Sequence, residues 1–100
     1  VPNDGSIDGL RNDDVVEITC DVDKNGCTPH RIGKADEQNL ELIRRVKNYE
    51  RLSSKAIRER SRSAAIQALT LHPLVNSYSI AVKLVDEFIE HNKNYCGGWK

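Results

Sequence analysis

The stretch Leu69–Tyr78 reads LTLHPLVNSY and separates two apolar helical patterns. Pro73 has no backbone N–H and disfavours a helical conformation at the residue before it, so an approaching helix must stop near His72. His72 then has two interpretations, as a general base or ligand, or as the end of a helix, where a histidine is favourable beside the dipole. Neither a triad partner nor a set of metal ligands lies near it in the sequence. The stretch therefore predicts a helix corner.

Apolar residues on both sides of this corner recur with the spacing of amphipathic helices. On the N-terminal side, Asp36 is a candidate helix cap and the Ser53-Ser54 pair allows a break and a restart. A last helix is expected from about Ser79 to Asn92, ended by Gly97-Gly98. The residues expected to face the core are Leu42, Ile43, Val46, Tyr49, Leu52, Ala56, Ile57, Ala64, Ala65, Ile66, Ala68, Leu69, Ile80, Leu84, Val85, Phe88 and Ile89.

The segment before the helices predicts a β-hairpin. Val15–Val22 alternates apolar and polar residues, which is the pattern of a half-buried strand. The tetrapeptide DKNG at residues 23–26 is typical of a type I turn whose glycine takes the left-handed position of a bulge. The resulting register places Cys20 opposite His30 and points Cys20 and Cys27 to opposite faces.

Cys20, Cys27 and His30 are the candidate metal ligands. Their spacing, C-x6-C-x2-H, matches no common zinc pattern, and the expected register separates the two thiols. Three cysteines are also an odd number, so free thiols in a reducing cytoplasm are expected. The sequence shows neither a signal peptide nor an apolar run of membrane-spanning length. It contains no methionine, which suggests a piece of a longer protein.

Eight basic residues lie between Arg44 and Arg62, although the formal net charge of the chain is zero. Helical spacing distributes them around polar faces, and only Tyr49 lies among them as a stacking platform. A solvated or interdomain face is favoured over a phosphate or nucleic-acid site.

With 38% apolar and 30% charged residues, part of the core is expected to belong to another chain or domain. A Gly-rich dinucleotide turn, a P-loop and a nucleophile elbow are all lacking.

The order of several phrases adds a resemblance to a known family. Together they resemble the C-terminal end of glycoside hydrolase family 4, and in particular its 6-phospho-β-glucosidases. The phrases are NDGSIDGL (3–10), VVEI (15–18), VDKNGCTP (22–29), IRRVKNYERLSSKAI (43–57), AAIQALTLHPLVNSY (64–78) and AVKLVDEFIEHNKNY (81–95).

The resemblance implies that residues 1–100 are a C-terminal domain, with a hairpin at about 15–33 and a helical part at about 36–95. The implied fold class is α+β, mostly α, with three to four helices, and it forms the C-terminal part of a dehydrogenase-like two-domain enzyme. The implied partners are an N-terminal NAD-binding domain of the same enzyme and further copies in a homo-oligomer, with neither nucleic acid nor membrane. The implied location is the cytoplasm.

The resemblance also implies the chemistry of the parent enzyme. Such an enzyme hydrolyses 6-phospho-β-glucosides by oxidation, elimination, addition and reduction, with NAD and a divalent metal, commonly manganese. The family's Gly-rich loop, metal ligands and tyrosine base lie upstream, so no catalytic, cofactor-binding or metal-binding residue is expected here. Two alternatives remain: another family 4 glycosidase of the α-glucosidase or α-galactosidase type, or a stand-alone helical interaction module.

Overall fold

The computed structural model describes residues 1–100, which divide into two units, Val1–Arg44 and Arg45–Lys100. A two-stranded antiparallel hairpin is followed by three helices, which confirms the predicted α+β, mostly helical class. None of the helices combines the length and the apolar character needed to cross a membrane. The elements are β1 (Cys20–Asp23), β2 (Gly26–Pro29), α1 (Glu37–Glu59), α2 (Arg62–Leu71) and α3 (Tyr78–His91).

The N-terminal segment is an ordered loop closed by the side chain of Asn3, which is fully buried. Its Nδ2 donates to the carbonyl of Ile7 (3.1 Å), and its Oδ1 accepts from the Ile7 N–H (2.8 Å). The backbone N–H of Asn3 also donates to the carbonyl of Asp14 at 2.8 Å. Because these bonds satisfy the buried amide, Asn3 can hold a loop that has no regular secondary structure.

The strands pair over Cys20–Pro29 only, which is shorter than the predicted strand that begins at Val15. Val15 instead forms an isolated bridge with Pro2, and the Val16 N–H donates to the carbonyl of Val1 at 2.8 Å. The alternating pattern is therefore real, but its first residues pair with the N-terminus of the chain.

The predicted register of the hairpin is wrong by one residue. Cys20 lies opposite Pro29, and not opposite His30, while Asp23 lies opposite Gly26. Gly26 has the predicted positive φ (129°), but it pairs with Asp23 and does not count as an additional loop residue. A shift of one residue changes which side chains share a face, so Cys20 and Cys27 lie on the same face of the hairpin.

Helix α1 is continuous through Ser53-Ser54, so the predicted break at this pair is wrong and the helices number three. The break occurs at Arg60, which has the left-handed φ (50°) typical of a residue that follows a helix. Ser61 then caps α2, because its Oγ accepts from the Ala64 N–H at 3.2 Å.

The core of the second unit lies between α2 and α3. Its buried centre is Ile66, Ala81 and Val85, with Ala65, Leu69, Val75, Val82 and Ile89 packed around it. The predicted inward positions Ile80 and Phe88 are 51% and 55% exposed, and Leu42 and Ile57 are exposed as well. The apolar face of these helices is therefore wider than the part of it that neighbouring helices bury.

Gly97-Gly98 does not end α3, contrary to the prediction. The helix ends at His91, and the side chain of its cap residue Asn92 donates to the carbonyl of Phe88 at 2.8 Å. The glycines belong to a C-terminal tail that lies against the α1–α2 junction. There the Lys100 N–H donates to the carbonyl of Arg60, and the Arg62 N–H donates to the carbonyl of Lys100, both at 2.8 Å.

Candidate functional site

The residues around His72 form the predicted corner between two helices. Helix α2 ends at Leu71, and the His72 backbone is extended (φ −64°, ψ 129°), as expected before a proline. The N–H groups of Val75 and Asn76 both donate to the carbonyl of His72, at 3.0 and 2.9 Å. The Oγ of Ser77 then accepts from the Ile80 N–H at 3.4 Å and begins α3.

The imidazole of His72 is engaged in structural contacts. Its Nδ1 accepts from the backbone N–H of Leu74 at 3.1 Å. Its ring meets the ring of Tyr49 edge to face, with centroids 4.6 Å apart and planes at 86°. Arg45 stabilises the same corner through two hydrogen bonds. Its Nε donates to the carbonyl of Leu71 at 2.9 Å, and its Nη2 donates to Asn76 Oδ1. These contacts hold His72 at the end of α2, as the predicted helix corner requires.

We expect His72→Ala to destabilise the fold by about 1–2 kcal/mol, the sum of one neutral hydrogen bond and one aromatic edge contact. In a full-length enzyme, turnover per folded molecule should be unchanged, whereas a lost general base costs about 100-fold or more. His72→Asn should recover part of the stability, because an amide oxygen can still accept from Leu74. A normal melting temperature combined with a 100-fold loss of turnover would contradict the structural role.

Cys20, Cys27 and His30 do not converge on one point. His30 lies on the opposite face of the hairpin from the two thiols, where its Nε2 is 2.9 Å from Asp21 Oδ2. All three cysteines are free thiols; Cys20 is half-buried, and Cys27 and Cys96 are exposed. No group of three or more His, Cys, Asp or Glu side chains in the chain is arranged to hold a metal.

Most members of the basic run interact with groups of the chain itself. Arg44 Nε donates to the carbonyl of Gly9 (3.0 Å), and Lys47 Nζ is 2.8 Å from Glu50 Oε2. Arg51 Nη2 donates to Asn48 Oδ1 at 3.1 Å. The prediction that helical spacing distributes these cations around several faces is wrong. Helix α1 is continuous, and the cations that recur every three or four residues along one side of it are Lys47, Arg51, Lys55 and Arg58.

One ion pair joins α2 to α3. Arg62 binds Asp86 through two parallel hydrogen bonds, Nε to Oδ1 at 2.6 Å and Nη2 to Oδ2 at 2.9 Å. This charged hydrogen bonding lowers the pKa of the Asp86 carboxyl and raises the pKa of Arg62. Both side chains are about half exposed, so solvent screens the interaction.

Removal of this pair by Asp86→Asn should lower the free energy of unfolding slightly at neutral pH and low salt, because solvent screens the exposed pair. Because the folded carboxyl has the lower pKa, its contribution is present above its unfolded pKa of about 4 and disappears as pH falls through the folded value. Denaturation at several pH values and salt concentrations measures this difference. The neighbouring Glu87→Gln is the control, and an equal effect at neutral pH would contradict the assignment to the Arg62 pair.

The second unit also contains an apolar cleft of about 290 Å³. Tyr49 and Phe88 contribute aromatic walls, and Trp99 of the C-terminal tail lines it as well. The remaining lining residues are Ser53, Ala56, Ile57, Ala65, Ala68, Leu69, Val85, Ile89, Asn92 and Cys96. Its lining contains neither a carboxylate nor a histidine and is mostly apolar, so it offers mainly packing surface.

Sequence reasoning did not predict this cleft. The periodicity of Tyr49, Leu69 and Phe88 predicts core positions on their helices, and it is equally consistent with a filled core. Trp99 follows Gly97-Gly98, where a helix end was expected. Only the tertiary placement of the tail brings Trp99 to the same cleft as the helix residues.

Comparison with known proteins places the chain in a family. The family described as the family 4 glycosyl hydrolase C-terminal domain matches residues 1–75. The chain is 40% identical over 93 residues to the 6-phospho-beta-glucosidase BglT of Thermotoga maritima, and 38% identical over 95 residues to the maltose-6'-phosphate glucosidase MalH of Clostridium acetobutylicum. It covers 22% of the length of each of these relatives, so it corresponds to about a fifth of them.

Solved structures of family members share the fold. A 6-phospho-alpha-glucosidase from gut microorganisms, in complex with NAD and Mn²⁺, matches with a TM-score of 0.94 at 31% identity over all of this chain and 23% of its own. The 6-phospho-beta glucosidase of Thermotoga maritima, with NAD and glucose-6-phosphate, matches with a TM-score of 0.85 at 38% identity over 96% of this chain and 23% of its own. This chain therefore belongs to family 4 of the glycosyl hydrolases and corresponds to their C-terminal domain.

Proposed function

We propose that the chain is the C-terminal part of an NAD- and divalent-metal-dependent 6-phosphoglucosidase. The observation that carries this proposal is the TM-score of 0.94 over the whole chain against a family member solved with NAD and Mn²⁺. The named relatives are phosphoglucosidases, and they share 38–40% of the residues compared. The stand-alone interaction module is disfavoured, because the relatives contain this segment within a chain more than four times as long.

Within such an enzyme, the chain serves as a scaffold. A dinucleotide site needs backbone amides of a Gly-rich turn between a strand and a helix N-terminus, and a divalent metal needs several clustered ligands. The residues present fit neither group: the capping residues Ser61 and Ser77 begin α2 and α3 directly after another helix or its corner, and a group of three or more metal ligands is lacking. The chemistry therefore belongs to residues outside this segment.

The exposed apolar residues give the scaffold a physical role. Leu74 at the corner is 91% exposed, and Tyr78 and Ile80 in the first turn of α3 are 67% and 51% exposed. Surface apolar groups of this size are costly to leave in water. They suit burial against the N-terminal NAD-binding domain or against a second subunit in a cytoplasmic homo-oligomer.

For the sugar linkage, we propose the β-configured 6-phosphoglucosides. The relative of 40% identity is named a 6-phospho-beta-glucosidase, while the relative of 38% identity is named for a maltose phosphate, which is an α-glucoside. Because these two identities are so similar, a 6-phospho-α-glucosidase is the second candidate. The residues that select the anomer are expected outside this chain.

Assay of the full-length protein on 4-nitrophenyl 6-phospho-β-glucoside and on its α-anomer tests the proposal. We expect hydrolysis of the β-anomer that requires both NAD and Mn²⁺ and is lost after chelation. A preference for the α-anomer with the same requirements would replace the β assignment by the second candidate. Hydrolysis that continues without NAD and without metal would overturn the proposal.

A further inference from the structure

The hairpin brings two thiols together on one exposed face. Cys20 pairs with Pro29 and Val22 pairs with Cys27, so the two cysteines occupy diagonal positions of adjacent strands on the same side. The neighbouring Cys27 thiol is the largest cause of the raised pKa of Cys20. The Sγ of Cys20 also donates to the carbonyl of Ile18 at 3.4 Å, which orients it along the strand.

The diagonal placement disfavours a disulfide. Diagonal neighbours in an antiparallel pair have Cα atoms about 7–8 Å apart, whereas a disulfide requires a Cα separation of about 4.4–6.8 Å. A metal ion between the sulfurs relieves this mismatch, because two Zn–S bonds of about 2.3 Å in a tetrahedral arrangement span about 3.8 Å between sulfurs.

The other groups of the hairpin determine how many protein ligands and how many waters a metal at the two thiols would have. His30 lies on the opposite face, held by Asp21 at 2.9 Å, so it is not positioned as a third ligand. Cys27 is exposed and Cys20 is half-buried, which leaves solvent access to both sulfurs. Two protein ligands leave two tetrahedral positions for water.

We propose that Cys20 and Cys27 form a chelating site for a soft divalent cation such as Zn²⁺ or Cd²⁺. Binding converts both thiols to thiolates, forms two metal–sulfur bonds and releases two protons to the buffer, without any electron transfer. The site is separate from the metal of the proposed glycosidase, because it lies on the hairpin of this segment and offers sulfur ligands only.

Titration of the reduced chain with Cd²⁺ tests the proposal through the ultraviolet sulfur-to-cadmium charge-transfer absorption. We expect saturation at one ion per chain, and a fall in the thiols that react with a chromogenic disulfide from three to one. Cys20→Ser and Cys27→Ser should each abolish the absorption. Cys96→Ser is the matched control and should retain it, with one thiol fewer in the metal-free count.

Three results would overturn the site. Retention of the absorption in the Cys20→Ser, Cys27→Ser double variant would assign it to other groups, and its loss in Cys96→Ser would place a ligand in the C-terminal tail. Saturation at half an ion per chain, with a dimer in sedimentation, would mean that two chains share the ion. Circular dichroism of each variant shows whether the fold is kept, and His30→Ala should leave the titration unchanged.

Discussion

The 100-residue chain on its own is expected to bind neither NAD nor Mn²⁺ and to hydrolyse no glycoside, whereas the full-length enzyme proposed above should do all three. The chain lacks the Gly-rich turn before a helix N-terminus that NAD requires, and it lacks the group of clustered ligands that Mn²⁺ requires. Calorimetric titration with each ligand, on the chain and on the full-length protein, measures the difference directly. For a typical cofactor affinity in the micromolar range, the expected contrast is about 8 kcal/mol of binding free energy against none.

The full-length protein provides a second readout. It should exchange the proton on carbon 2 of its sugar with solvent deuterium, because the chemistry implied by the family resemblance removes that proton. Hydrolysis without this exchange would contradict the proposed reaction class. Tight binding of NAD by the isolated chain would contradict the scaffold role instead, so the two failures are distinguishable. For the Mn²⁺ titration, the Cys20→Ser, Cys27→Ser variant separates any thiol binding from a catalytic-type site.

The helix corner was predictable because its determinants are local. Pro73 limits the conformation of His72, and Ser77 has the hydroxyl that caps a following helix, so four or five residues decide the geometry. The end of α1 was predicted at the wrong serine for the same kind of reason. Ser61 and the Ser53-Ser54 pair are chemically equivalent candidates, and only the left-handed Arg60 distinguishes the true stop.

The sequence determines the hairpin register less firmly than it determines the helix corner. The tetrapeptide at residues 23–26 fits a turn in which the glycine is an additional loop residue and one in which it pairs with Asp23. These alternatives differ by one residue, and that difference decides whether Cys20 and Cys27 share a face. The strand is exposed on much of its surface, so hydrophobic burial selects only weakly between them.

The core positions show a third limit. The 3.6-residue periodicity of α3 predicted Ile80 and Val85 as equally inward, yet Val85 is 3% exposed and Ile80 is 51% exposed. Periodicity identifies the apolar side of a helix but does not reveal how much of that side a neighbour covers. The cleft with Trp99 and the buried Asn3 depend on contacts between distant parts of each unit, for which the sequence has no local pattern.

Ile66→Ala is expected to destabilise the second unit strongly, and Ile80→Ala is expected to change its stability very little. Ile66 is 4% exposed at the centre of the cluster with Ala81 and Val85, so truncation leaves a cavity between α2 and α3. The usual cost for a buried isoleucine is about 2–5 kcal/mol, which is a large part of the stability of a small domain. Ile66→Val should cost about 0.5–1.5 kcal/mol, because most of the side chain remains.

Urea denaturation of the chain, followed by helical circular dichroism, measures the three variants under one condition. Ile80 is the matched control, since it has the same side chain on the facing helix and was predicted from the sequence to be inward. Its truncation should stay within about 0.5 kcal/mol of the unmodified chain, as for surface substitutions in general. Equal losses at Ile66 and Ile80 would mean that the wider stripe inferred from periodicity is the true core. A loss at Ile66 alone would locate the stabilising contact at the α2–α3 interface, where the small side chains of Ala65 and Ala81 allow the helices to approach closely.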